Sequence, residues 1–237
     1  MRGLGTLLNI ATVLVGTTLG VLLRGRLPSQ MRVTIMQGLG LFVVFLGVRE
    51  ATNTHNALML LGSLLGGAVI GEALRIEDRL AGIGARIERL TTRGEVEPDL
   101  SQGRSTFTEG FLVASLVFCV GPLTILGSIE DGLGQDIDLL ATKSVLDGFA
   151  AFAFAATLGW GVGASVITIA VVQGGITLGA ALLDDVLTTR MVGEMSAVGG
   201  IALIGIGLRL LDLAQIRVAS FLPGLVLAPV LVALFGR

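Results

Sequence analysis

An all-α integral membrane protein of about eight transmembrane helices, with an inverted-topology internal repeat, is the fold class this sequence predicts, and three observations predict it. Hydrophobic residues make up 53% of the 237 positions and charged residues only 14%, too little polar surface for a water-exposed globule of this size. Apolar runs long enough to cross ~30 Å of hydrocarbon recur near 4–23, 33–48, 56–74, 107–127, 141–158, 162–183, 195–211 and 218–235. The third observation is an echo within the chain. Gly16, Thr18, Leu19, Gly20, Met31, Gly40, Gly47 and Arg49 are matched by Gly175, Thr177, Leu178, Gly179, Met191, Gly199 and Gly200, Gly207 and Arg209, at an offset of about 160 residues with a one-residue slip. Two copies separated by an odd number of crossings lie upside down relative to each other, the architecture of many secondary transporters.

Each span follows from its neighbours. Met1-Arg2-Gly3 leads straight into apolar sequence with no small-residue cleavage site before a polar region, so the first run reads as a retained span. The second and seventh runs are short. The stretch 139–183 carries only Lys143 and Asp147 as charges and divides at Gly159-Trp160-Gly161; seven spans plus a re-entrant segment is the competing count. Arg24, Arg26 and Arg32 follow span one, and Arg75, Arg79, Arg86, Arg89, Arg93 and Arg104 follow span three, which makes both loops cytoplasmic. The loop after span four holds Glu130, Asp131, Asp136 and Asp138 without arginine, as expected outside, so both termini are expected outside. A shorter echo, Glu109-Gly110-Phe111 against Asp147-Gly148-Phe149, with Gly121 and Gly159 at matching distances downstream, relates spans four and five. The chain then reads as a single polytopic domain, 1–237, with repeat copies 4–74 and 162–235, a central helix pair 107–158 and a cytoplasmic segment 75–106.

That segment opens with Ile76, Leu80, Ile83, Ile87 and Leu90 at alternating four- and three-residue steps with charges between, an amphipathic helix. It is suited to the membrane face or to pairing with a second copy of the chain as a homo-oligomer. Gly94 to Ser105 reads as flexible.

Several function classes are excluded. A net charge of −2 with Lys143 the only lysine offers no nucleic-acid surface. One cysteine, Cys119, gives neither a disulfide nor a thiolate zinc cluster, and His55 stands alone. No phosphate loop, nucleophilic triad or H-E-x-x-H motif occurs, so an enzyme is not expected. No cofactor is expected beyond a bound Na+ or divalent cation; the expected partners are membrane lipid and a small cation or solute.

Ionisable groups inside an apolar span cost ~2.5 to 3.5 kcal/mol on insertion scales and usually face a cavity or partner. Asp147 is the clearest instance, placed about one turn into span five, with Lys143 and Ser144 four and three residues earlier on the same face. It reads either as a cation- or proton-binding carboxylate with Lys143 as internal counter-ion, or as an ion pair at a helix end with both groups snorkelling. Glu109 heads span four, where the helix dipole also favours an acid. Cys119-Val120-Gly121-Pro122-Leu123-Thr124 is the expected helix break, because proline removes a donor and Gly121 admits unusual backbone. Freed carbonyls there, helped by Thr124 and Ser128, suit an ion or a plain kink. Glu130 and Asp131 lie just outside as a cation-concentrating mouth or a solvated loop. Among polar residues within spans, including Thr17, Gln37, Thr177 and Ser196, the path candidates ranked first are Asn9, Gln173 and Glu194.

The run Phe118-Cys119-Val120-Gly121-Pro122-Leu123-Thr124-Ile125-Leu126-Gly127-Ser128-Ile129-Glu130-Asp131-Gly132, followed by Lys143-Ser144-Val145-Leu146-Asp147-Gly148-Phe149-Ala150, resembles the signature of the YqgA/YdfK family of bacterial inner-membrane proteins. The likeness spans essentially the whole chain. It implies a multi-pass protein of the cell inner membrane, for which a sodium channel or pump has been suggested. Leu146 to Ala150 also resembles the Asp-Ala-Phe-Ala element of small manganese exporters with inverted three-helix repeats, and Gly205 to Leu210, with Arg209, their Gly-Arg-Met-Ile helix. That likeness implies Asp147 as a cation ligand. Gly148 departs from the alanine, the helix order differs, and only Glu109 could supply a second in-membrane acid. The function expected is a membrane transporter or channel for a small ion, most readily a cation; the alternative is a non-transporting scaffold or sensor acting through its amphipathic helix.

Overall fold

Local sequence decides where each helix stops and the next begins. The computed structural model describes residues 2–91 and 105–235 and is helical throughout, with no strand among the described residues. Helix α1 (Leu4–Arg24) ends before Gly25-Arg26-Leu27-Pro28, and α2 (Ser29–Ala51) starts directly after that proline, whose fixed φ suits a helix entry. Asn56 then caps α3 (Ala57–Ala73), its Oδ1 accepting from the amides of Leu58 at 3.0 Å and Met59 at 3.4 Å. A bend of 57° separates α3 from α4 (Ile76–Thr91), and one of 64° separates α5 (Thr106–Cys119) from α6 (Pro122–Leu133). Gly134, at φ 78, closes α6 in the left-handed region that glycine tolerates best. There follow α7 (Asp138–Leu158), α8 (Gly161–Ala164), α9 (Val166–Leu178), α10 (Ala180–Val186), α11 (Thr189–Leu210), a 3-10 turn (Val218–Phe221) and α12 (Pro223–Phe235).

Six stretches are unbroken and apolar enough to cross a bilayer: 4–24, 29–51, 138–158, 161–178, 189–210 and 218–235. Counting each bent pair as a span raises the number to eight. Spans two and seven, short by hydropathy, are helices of 23 and 22 residues, because Arg32, Arg49, Arg190 and Arg209 lie within the helices rather than in loops. Span four is two helices, and span six is interrupted at Ser165 and Gly179. Arg93, Arg104 and residues 94–104 of the long loop lie outside the described residues.

Close glycine contacts define the pairings, as expected where helices associate without a hydrophobic drive. Helices α1 and α7 run parallel, with Gly16 against the Gly148 carbonyl and Gly20 against that of Phe152. The stretch α8–α9 and the stretch α5–α6 also run parallel, Gly161 of α8 lying on the Phe107 carbonyl and Gly132 on that of Thr177. Helices α2 and α11 cross antiparallel through two reciprocal contacts: a Cβ on Gly47 would meet the Gly200 carbonyl at 2.6 Å, and one on Gly207 would meet the Gly40 carbonyl at 2.7 Å. Helices α3 and α12 are likewise antiparallel, Gly67 against Gly224 and Gly71 against Ser220. Large apolar side chains such as Leu19, Leu22, Leu41, Phe45, Val69, Phe149 and Leu178 point outward, the surface a lipid environment accepts.

The bundle has two chemically distinct ends. One gathers Arg24, Arg26, Arg32, Arg75, Arg79, Arg209 and Arg217; the other carries Glu50, Glu130, Asp136, Asp138, Asp184, Asp185 and Glu194. Helix α4 lies at the arginine-rich end. Ile76 and Leu80 join the core, and Gly84 rests on Phe111, while Ile83 and Leu90 remain exposed. Its apolar stripe is therefore split, one edge packed on α5 and one edge outside.

Candidate functional site

Polar side chains converge where α1, α6, α7 and α9 meet. On α1, Thr6 and Asn9 are one turn apart and buried; on α9, Gln173 and Thr177 are one turn apart and buried. The two helices meet through these residues, Thr6 Oγ1 to Thr177 Oγ1 at 3.4 Å and Asn9 Nδ2 to Gln173 Oε1 at 2.9 Å. Asn9 Nδ2 also donates to Asp147 Oδ2 at 3.0 Å. Lys143 Nζ donates to the same Asp147 oxygen along one turn of α7, and their side chains are only 7% and 11% exposed.

Asp147 is the tenth residue of α7, because that helix starts at Asp138. It is mid-helix, not one turn from an end, so the pair is not a snorkelling pair at an interface. Ser144 returns its hydroxyl to the Leu140 carbonyl at 2.6 Å and has no proton left for a ligand. Cys119, the last residue of α5, stands at the break before Pro122.

The ionised carboxylate fixes the direction of this chain of amides. Asp147 can only accept, so Asn9 must turn Nδ2 toward it, and Gln173 must then present Oε1 to the same Nδ2. Asn9 Oδ1 and Gln173 Nε2 consequently have no hydrogen-bond partner within the protein, although both residues are fully buried. Buried polar groups are normally paired, so the two atoms mark a place built for something besides packing.

The break at Gly121-Pro122 occurs where the sequence places it, in a different form. Pro122 opens α6 as its first residue, with Gly121 as the extended N-cap, so the chain restarts a helix rather than kinking one. Thr124 Oγ1 donates to the freed Phe118 carbonyl at 3.1 Å, which consumes the hydroxyl that could have helped an ion. Restarting the helix draws Ser128, Ile129, Asp131 and Gly132 into the interior. The expected acidic loop is thus mostly helix, and only Glu130 of the two acids is partly exposed. Asp131 Oδ1 accepts from the Gly3 amide at 3.2 Å at the start of α1; its Oδ2 and Ser128 Oγ, both fully buried, have no partner.

A cavity of about 320 Å³ opens at the acidic end, lined by Arg2, Gly3, Thr6, Gly132, Thr177 and Ala181 among others. Its floor is the Thr6–Thr177 contact, and the Asn9–Gln173 contact lies one turn deeper. Thr6 was not legible as a site residue, though its three-residue spacing from Asn9 is the signal that places it on the same face.

Two of the sequence candidates lie elsewhere. Glu194, fully buried on α11, accepts from Thr54 Oγ1 at 2.8 Å and from the amides of His55 at 2.6 Å and Asn56 at 3.0 Å. It holds the α2–α3 turn, and its lone pairs are committed. Glu109 pairs with Arg209 on α11, not with Asp147. Arg209 also reaches Glu77 Oε1 at 3.1 Å, and the second Glu77 oxygen accepts from the Ala219 amide at 2.8 Å. Glu77, only 1% exposed, thereby ties α4 to α11 and to the 3-10 turn before α12 at the arginine-rich end. Beside it, the hydrogen bond to Asp78 holds the Arg217 guanidinium above its ordinary pKa, with the charges of Asp78, Glu72 and Glu77 adding to the effect. No group of three or more His, Cys, Asp or Glu side chains able to hold a metal occurs among the described residues.

Comparison with known proteins places these observations. Residues 4–233 match a family model described as "Protein of unknown function (DUF554)". The Escherichia coli (strain K12) protein named "Uncharacterized protein YqgA" is 32% identical over 226 residues, covering 95% of this chain and 94% of the relative. "Uncharacterized membrane protein YdfK" of Bacillus subtilis (strain 168) is 27% identical over 232 residues, covering 96% of this chain and 95% of the relative. No solved structure matches.

Proposed function

The chain belongs to the DUF554 family, and from its buried polar chamber we propose that this multi-pass membrane protein is a transporter or channel for a small cation, built on an inverted repeat. One observation carries the reading: Lys143 and Asp147 lie buried in mid-helix, joined to two cross-linked amides that lie one turn below the floor of a cavity. Each ion costs ~2.5 to 3.5 kcal/mol to insert, and replacing a buried ion pair by well-packed apolar residues is often neutral or stabilising by ~1 to 4 kcal/mol. Stability alone gives no reason to keep the pair.

The chemistry available is competition for one carboxylate. Lys143 occupies Asp147 Oδ2, so an incoming cation must displace its ammonium, and the ammonium returns when the cation leaves. Asn9 and Gln173 supply dipoles along the same line. Two features support the repeat. The Gly40–Gly207 and Gly47–Gly200 contacts exchange into each other under the sequence match of Gly40 with Gly200 and Gly47 with Gly207. The parallel pair α1–α7 has its counterpart in α9 with α5–α6. By the arginine bias, the acidic end with its cavity faces outward.

The scaffold alternative needs a free amphipathic helix. Helix α4 instead buries Glu77 and Gly84 and packs on α5, so nothing favours that reading over transport.

Reconstituted protein in liposomes tests the proposal with radiotracer or fluorescent readout of Na+, K+, H+ and Mn2+ flux. Wild-type protein is expected to move at least one of them, and Asp147→Asn to slow that movement at least ~10-fold, the scale of one lost charged ligand. Absence of flux for every cation, or an unchanged rate in Asp147→Asn, overturns it.

A further inference from the structure

We infer that Ser128 and Asp131 on α6 form a second, outer cation site, ligated by oxygen and suited to a hard monovalent ion. Asp131 Oδ2 and Ser128 Oγ are both fully buried and both without a partner in the protein. Three residues apart on one helix, they lie side by side. They face the space between α7, which Gly127 touches through Leu140, and α9, which Gly132 touches through Thr177. The other two unpartnered atoms of the chamber, Asn9 Oδ1 and Gln173 Nε2, lie deeper in that same space.

Charge selects the ligand. Lys143 neutralises Asp147, whereas no Lys or Arg pairs with Asp131 among the described residues. Asp131 therefore lacks the side-chain counter-ion that Asp147 has, and a single monovalent cation is the ligand that would supply one. The groups around Asp131 are Glu130 on its own helix, Arg2 and the Gly3 amide on α1, and Lys143 and Asp147 deeper on α7. The Gly3 amide and the positive end of α1 offset part of the charge. Arg2 lines the same cavity, with its Nε beside the turn at Gly134, and forms no ion pair with Asp131. Carboxylate and hydroxyl oxygens suit hard ions. The α6 turn carrying Gly132 and Leu133 lines the 320 Å³ cavity, which gives an ion its approach.

The role of this site rests on the transport reading, as the first stop on the way to Asp147, but its occupancy is measurable without flux. Thermal unfolding of the purified full chain in nanodiscs would be followed in NaCl, LiCl or KCl against choline chloride at equal ionic strength. A ligand that binds only the folded state raises the melting temperature with concentration. Wild-type protein is expected to show a saturable rise with one of the three alkali ions. Asp131→Asn and Ser128→Ala are each expected to raise the midpoint concentration at least ~10-fold, and Asp131→Asn to melt in choline no lower than wild type, because it removes an unpaired charge.

Three results overturn the inference: no alkali ion acts on the wild type, which assigns Asp131 to a proton or water; the midpoint is unchanged in both variants; or Asp131→Asn melts well below wild type in choline, which makes Asp131 only a cap for α1. If the ion effect survives Asp131→Asn and disappears in Asp147→Asn, the site moves to Asp147, and the outer site falls while the transport reading stands.

Discussion

Removing Lys143 while leaving Asp147 is the perturbation whose cost the structure specifies best. The two side chains are 7% and 11% exposed, and Asp147 keeps one other charge-compensating contact, the 3.0 Å bond from Asn9. Breaking a buried pair by deleting one partner costs ~3 to 5 kcal/mol, because an uncompensated charge stays behind. The two single variants are not equivalent. Lys143 lies one turn closer than Asp147 to the start of α7, and its stem is long enough to reach toward water there; Asp147 is short and mid-helix. Lys143→Met should therefore sit near the upper end of that range and Asp147→Leu near the lower end. The double variant should fall within ~1 kcal/mol of wild type, since it removes both desolvation penalties. Equilibrium unfolding in SDS–bicelle mixtures would measure all three. The cycle should return an interaction energy of ~2 kcal/mol or more. Single variants that each cost less than ~0.5 kcal/mol, the range of ordinary surface changes, would refute the argument by showing the pair already solvated.

Three further outcomes follow from the packing and hydrogen bonds. Gly16→Ala drives a methyl into the Gly148 carbonyl and should cost ~1 to 3 kcal/mol; Gly175→Ala, its match in the repeat, meets open space and should stay within ~0.5 kcal/mol, so equal effects on unfolding would contradict the α1–α7 contact. Glu194→Gln weakens three bonds to the α2–α3 turn and should lose ~1.5 to 3 kcal/mol, read by thermal unfolding and contradicted by wild-type stability. Thr6→Cys with Thr177→Cys, in a Cys119→Ala background, should crosslink under mild oxidation, because the hydroxyls approach to 3.4 Å within disulfide reach. Failure to crosslink would separate α1 from α9 at the cavity floor.

The sequence carried the all-helical, multi-span class because hydropathy and glycine spacing are local properties; it read the two bent pairs, α3–α4 and α5–α6, less well, because a bend is set by packing. It also carried Lys143, Asp147, Asn9 and Gln173 as residues out of place in apolar runs. What joined them was not legible: that Asn9 reaches across 138 positions to Asp147 and across 164 to Gln173 depends on which helices pack together. Glu109 looked like a second in-membrane acid for the Asp147 site, and Arg209 like a marker of the repeat. They pair with each other instead, because α5 begins and α11 ends at the same end of the bundle. Glu194 was misplaced for a related reason. An acid within an apolar run suggests a path, but next to a turn with three free donors it is a cap.

Asp131 shows the strongest dependence on a single local event. Read along the sequence, Pro122 breaks span four, which runs to residue 127, and the acids that follow lie just outside it. Because Pro122 occupies the first position of a new helix, where its missing N–H costs nothing, the helix continues for another three turns and carries Ser128 and Asp131 inward. The two in-membrane carboxylates then differ in kind. Asp147 is held by a tethered cation and is available only when Lys143 moves; Asp131 has no such partner and lies nearer the cavity. Under the transport reading proposed above, an ion coming from the acidic end would meet attraction first and competition second. The Lys143 ammonium, four residues from Asp147 on the entry side, repels an arriving cation until that cation's own charge helps displace it. Under that reading the displacement of Lys143 is the step that precedes binding at Asp147, which makes the Lys143–Asp147 pair, rather than Asp131, the point at which a substitution should change flux most.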